Sequence, residues 1–448
     1  MSRKRFPLIG GWASALVLTV GLAALAGQYD RDSEHEAIRY MQTAPADPVA
    51  RLQQRLVRGE VRWTYDSQRG YLPALLQELN VPVSSQILVF SKTSFQRDRI
   101  SPQTPRAIYY NDQVYAGWVP GGSVIEITAV DPQLGAVFYT LSQERSGKPK
   151  ITRQTHECLQ CHESGMTAGV PGHLIRSVYT DPQGQPILSA GSFVTTYQSP
   201  LRERWGGWYV TGTHGRQRHL GNLTFASAAK ANKPNWDAGA NVTDLRRRIP
   251  AALYPSGHSD IVALMVCEHQ TYLQNLLTQA NYQTRIALDY ERRLNRELGR
   301  PEGTRWESAV ARIRSANERL LQGLLFAGEP ALTDPIRGTS GFQAQFSRTG
   351  PRDRQGRSLR DFDLKRRLFR YPCSYLIYSE AFEGLPAPAK EYIFTRLLQI
   401  LNGEDRSQTF AHLSAEDRRA ILEILLDTHK GFAQWKASQP TAVLEIGR

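Results

Sequence analysis

The period of the apolar pattern changes twice along this 448-residue chain, and those changes decide which folds are open to it. From 87 to 143, short runs rich in β-branched and aromatic residues follow one another: Ile87-Leu88-Val89-Phe90, Ala107-Ile108-Tyr109-Tyr110, Val114-Tyr115-Ala116-Gly117-Trp118-Val119, Val124-Ile125-Glu126-Ile127 and Ala136-Val137-Phe138-Tyr139. Asn-Asp, Pro-Gly-Gly and Asp-Pro turn signals separate them, as in a small antiparallel sheet. Similar runs return at 177–179, 192–197 and 208–210. Past 242 the spacing becomes three and four, which predicts one long helix over 259–298 and another over 306–325. Near the end Pro388 opens a helix, and Ser414-Ala415-Glu416-Asp417 forms a capping box before a last one. The class is therefore α+β, with a β-rich N-terminal half and a helical C-terminal half.

The predicted segments are an export segment over 1–26, a helical cap over 27–82, a β-rich domain over 83–241, a helical segment over 242–330, a basic Gly/Pro/Arg-rich linker over 331–360 and a C-terminal helical segment over 361–448. The first of these carries Arg3, Lys4 and Arg5, then an apolar stretch and the small-residue site Ala24-Leu25-Ala26. It reads as a signal peptide or an uncleaved inner-membrane anchor, and either reading places the body in the periplasm or cell exterior. The net charge of +13 favours anionic partners. Four cysteines are too few for a disulfide framework, so their positions matter more than their number.

Two of them stand in Cys158-Leu159-Gln160-Cys161-His162, between the two blocks of β-rich runs. C-x-x-C-H is the attachment motif of a c-type haem. Two thiols three positions apart add across the two vinyl groups of the porphyrin, and the adjacent imidazole ligates the iron. A zinc site would want a second cysteine pair, and a thioredoxin-like pair would want a βα unit around it; neither is visible. The expected cofactor is one covalent haem c, bound by Cys158 and Cys161 with His162 as the proximal ligand. Cys267 and Cys373 read as two buried thiols or a long-range disulfide.

At these residues the chain resembles the c-type cytochromes, a likeness that implies covalent haem, an iron cycling between two oxidation states and electron transfer with a partner protein. It departs from the small cytochromes, whose motif opens an all-helical domain with a methionine ligand further on, because past Met166 the only methionine is Met265. The runs 95–102 and 207–215 resemble a group of large exported single-haem proteins of bacteria, and imply no reaction.

The sixth iron ligand separates electron transfer from chemistry at an open site. Candidates are His269 and Met265, four apart on one apolar face of the long predicted helix with Val262, Leu273, Leu276 and Ala280; His219, in a Gly-rich turn with His214; and His173, close behind the motif. Arg97, Arg99, Arg106, Arg153 and Trp118 are candidate partners for haem propionates. A cluster of bases at 348–370 reads as a solvated face or as a docking patch for an acidic redox partner or an anionic membrane surface, and nucleic acid is not expected outside the cytoplasm.

The leading expectation is an exported single-haem cytochrome that moves electrons. The alternatives are a haem enzyme with an open distal site, peroxidase-like or acting on oxygen, and a haem-bearing sensor or subunit of a redox complex that binds its partner through 330–448.

Overall fold

The computed structural model describes residues 31–145 and 149–439. The predicted export segment lies outside the described residues, and among them no helix is long and apolar enough to cross a membrane.

The fold is α+β. Strands β1 (Ile87–Val89), β2 (Arg106–Tyr110), β3 (Val114–Trp118), β4 (Val124–Asp131), β5 (Gly135–Ser142) and β6 (Ile151–Gln154) pair in sequence order as an antiparallel meander. A two-residue strand, Trp208–Tyr209, adds to the free edge of β1. β6 was not expected, because its four residues carry little apolar alternation; its pairing with β5 delivers the chain to Cys158 at the sheet edge. A small hairpin, Arg176–Val178 with Ser192–Val194, stands apart from the main sheet.

Strand side chains alternate between faces, so each face can be read separately. One face carries Ala107, Tyr109, Ala116, Trp118, Ile125, Ile127, Val137 and Leu141, packed against Val49, Leu52, Leu72 and Leu75 of the two cap helices Pro48–Val57 and Leu72–Glu78. The cap thus shares a core with the sheet. The opposite face carries Ile108, Tyr115, Gly117, Glu126, Thr128, Phe138, Thr140 and Gln154, too small and polar at its centre to make a core, and it lines a cavity instead.

The helix Ile261–Glu297 runs past this cavity. Asp260 caps it, accepting from Val262 and Ala263, and its first turns are buried all round. Helices Glu307–Leu324, Ala387–Leu401 and Ala415–Thr428 form the C-terminal layer, and the Ser414 capping box is present. Residues 331–360 differ from a solvated linker: Ile336, Phe342, Phe346 and Leu359 are buried in the main core. Phe346 stacks on Phe369 and meets Tyr375 edge-on, so aromatic burial holds a segment whose Gly, Pro and Arg content suggests exposure.

Candidate functional site

The cavity encloses about 450 Å³, within the range of small-molecule and cofactor sites. Its floor is the sheet face just described, its roof is the segment from Glu157 to Arg176, and Cys267 and Thr271 of the long helix reach it from the side. Cys158, Cys161, His162 and His173 all line it.

The motif forms a single helical turn, Leu159–His162, seated by the buried Leu159. Both thiols are free, with Cys161 exposed and Cys158 half-buried. Burial, aided by Glu126 and Glu157, pushes the Cys158 thiol up to about 11. His162 packs its ring on Phe138, with centroids 4.9 Å apart. Its Nδ1 lies 3.0 Å from the carbonyl oxygen of Gly172, and donation there leaves the Nε2 lone pair for a metal. Among the described residues no hydrogen bond engages Nε2.

The loop from His162 to Gly172 closes on itself. The Thr167 hydroxyl donates toward the carbonyls of Ser164 and Val170, and the Gly172 amide donates to the His162 carbonyl at 2.8 Å. The next residue, His173, is buried against Tyr115, with ring centroids 4.3 Å apart. Among the described residues neither of its ring nitrogens has a hydrogen-bond partner, and burial pulls the imidazole down to about 3, keeping it neutral at physiological pH.

Charge enters the cavity through Arg106 and Arg176. Arg106 lies across Gly117 on the neighbouring strand, where a Cβ would meet its guanidinium, and pairs with Glu126 at 2.7 Å. Its Nε is buried without a partner. Of the propionate candidates, Arg106 lines the cavity; Arg153 is spent on the carbonyls of Tyr40 and Thr43, Arg99 on that of Gly121, and Trp118 packs on Tyr254 on the far face of the sheet. Arg97 is exposed. Arg176 was not anticipated, since nothing local distinguishes it from a surface arginine.

No protein-family model, curated protein or solved structure matches this chain.

The other distal candidates lie outside the cavity lining. His269 donates or accepts at the Ser374 hydroxyl, 2.7 Å from Nε2, and stacks on Phe326 at 4.1 Å. Met265 is buried in the main core. Successive helix residues turn by about 100°, so Met265 and His269, each two positions from Cys267, sit nearly opposite the stripe that faces the cavity. His219 meets Trp205 edge-on and His214 at a tilt in the turn after the Trp208–Tyr209 strand. Cys267 and Cys373 are both buried and unbonded. The bases of 348–370 are largely engaged within the chain: Arg352 with Asp361, Arg354 with Asp427, Arg357 with Asp353 and Glu423, Arg360 with Asp112, Arg366 with Asp363 and Arg367 with Asp417.

His269 provides a test of the core reading. Burial lowers it to about 3 from 6.5, so below pH 6.5 the unfolded chain binds a proton that the folded chain does not. Stability tied to this group is therefore lost as pH falls. Between pH 7 and 5.5 the native chain is expected to lose about 1.3 kcal/mol more than His269→Gln, read by urea unfolding at both values. Equal losses would show that His269 titrates normally.

Proposed function

We propose that the chain is an exported single-haem c-type cytochrome that exchanges electrons with a partner protein. The observation that carries this reading is the meeting of both motif thiols and His162 on one cavity, with the imidazole already turned so that Nε2 is free. The residues fit the group: the lining combines apolar sheet residues with two arginines suited to propionates, and no partner occupies the buried ring nitrogens of His173. Among the described residues no cluster of three or more His, Cys, Asp or Glu offers the further donors of a zinc site.

In this reading Cys158 and Cys161 hold the porphyrin by thioether bonds and His162 ligates the iron from Nε2. Gly172 orients that imidazole, while Phe138 packs on it and limits its rotation. Arg106 and Arg176 offset the propionate charge. When bound, the haem supplies an iron that alternates between ferric and ferrous states, with a potential set by ligands, hydrogen bonds and burial. The N-terminal 26 residues fit the compartment in which such haem is attached.

The test is expression of the full chain with a haem c maturation system. One haem per chain that survives acid extraction, with a reversible one-electron wave in voltammetry, is the expected result. A matured chain with no covalent haem would overturn the proposal.

A further inference from the structure

Building on that reading, we infer that this chain supplies one axial ligand only, His162, and that the opposite axial position is a binding site for a small uncharged diatomic molecule. The His162 ring has a fixed direction, because its Nδ1 lies 3.0 Å from the Gly172 carbonyl oxygen. The two nitrogens of an imidazole point to different sides of the ring, so a group ligated at Nε2 stands away from Gly172 with the imidazole between them. Whatever is tied closely to Gly172 is therefore on the His162 side of the iron.

His173 follows Gly172 directly, and Asn275 fixes it there. Asn275 Oδ1 accepts from the His173 amide and Nδ2 donates to the His173 carbonyl, each at 2.8 Å. From that backbone position a histidine side chain is too short to pass around a porphyrin to its far face. Met166 is tied to the same side. It lies four residues past His162, in a turn closed by the Ser164 capping box, and it also borders a smaller hollow with Tyr272 and Asn275 of the long helix. Gln279 of that helix donates to the Ala168 carbonyl at 2.7 Å, so the loop from His162 to His173 is pinned to the helix at two points.

The other donors on the lining are spent or unsuited. The hydroxyls of Tyr115 and Tyr139 bond Gln274 and Asp47. Glu126 pairs with Arg106 and accepts from Gln96 at 3.1 Å. Glu157 is exposed and immediately precedes the motif. Burial pushes the Cys267 thiol well up and keeps it protonated, whereas a metal takes the thiolate. Among the described residues the lining thus offers no strong ligand for the position opposite His162.

Charge and polarity select what fills that position. Arg106 and Arg176 are matched on the lining by Glu126 and Glu157, and the haem adds its own propionates, so the filled cavity carries a negative surplus. A small anion enters against that field, and an uncharged diatomic does not feel it. Ile87, Val89, Ile108, Val124 and Trp208 give the cavity an apolar wall that favours such a molecule. One iron then both exchanges electrons and takes up this ligand.

The experiment uses the matured full chain at neutral pH, with carbon monoxide as the probe of the ferrous state and azide as the anion in the ferric state. Visible absorption and electron paramagnetic resonance are expected to show a high-spin ferric iron. The ferrous protein is expected to bind carbon monoxide at a rate that rises linearly with its concentration, since no internal ligand has to leave first. His173→Leu and Met166→Leu are each expected to keep the ferric spin state and the linear dependence. Azide is expected to bind Glu126→Gln about fivefold more tightly than the native chain, because one carboxylate charge is removed. A low-spin native iron whose carbon monoxide rate saturates would overturn the open position and leave covalent attachment standing. Equal azide affinity in the two proteins would overturn the choice of an uncharged ligand. Absence of covalent haem would instead overturn the reading on which the inference rests.

Discussion

Cys158→Ala/Cys161→Ala protein, matured alongside the native chain, is expected to carry no covalent haem, a fall from one per chain to none in acid extraction and intact mass. The cavity, Phe138 and His162 are untouched by the change, so non-covalent haem can still enter, and colour alone is not the readout. Each single variant retains one thiol and is expected to keep haem through one thioether in reduced yield. Cys161 is exposed and Cys158 half-buried, so neither removal opens a large hole, and the chain should fold as before. Covalent haem persisting in the double variant would place the attachment elsewhere and sink the proposed site.

The largest expected effect on stability lies in the main core, where Arg204 and Glu268 meet at 3.0 Å, both nearly inaccessible. Arg204 also donates to the carbonyls of Ser199 and Tyr197, each at 2.8 Å. Glu268 sits on the long helix beside Cys267, where burial pushes its carboxyl upward and the guanidinium opposes that shift. Removing one partner of a buried pair strands the other, at a cost of about 3–5 kcal/mol. Arg204→Met is expected to lose that much in urea unfolding, since it orphans two carbonyls as well as the carboxyl. Glu268→Gln keeps an acceptor for Arg204 and should lose less. A loss below about 1 kcal/mol for Arg204→Met would mean that water reaches the pair.

The broad division of the chain was legible because it rests on local periodicity. Strands β1 to β5 and the helices Ile261–Glu297 and Glu307–Leu324 fall close to where the apolar spacing places them. The segment 331–360 was not legible, because its composition speaks of a linker while Phe346 is held by Phe362, Phe369 and Tyr375, and Phe342 by Tyr110 and Phe346. β6 was missed for a related reason: an edge strand of four residues is defined by its partner rather than by its own pattern.

The candidate site divides in the same way. Two thiols and an imidazole within five consecutive residues form a motif whose chemistry is local, and Cys158, Cys161 and His162 could be named without any fold. The remaining members depend on contacts between residues far apart in sequence. An apolar stripe on the long helix made His269 and Met265 reasonable candidates, but a helix buried all round has more than one inward face, and only packing selects the one that meets the cavity. That face is Cys267 and Thr271. His173 gained its place through Tyr115 on one side and Asn275 on the other, at separations of 58 and 102 positions. Sequence alone determined the C-x-x-C-H motif and the α+β class, because each is written in neighbouring residues. The tertiary structure decided which histidine shares the cavity with His162, because burial and hydrogen-bond satisfaction are settled by what distant segments bring to the same point.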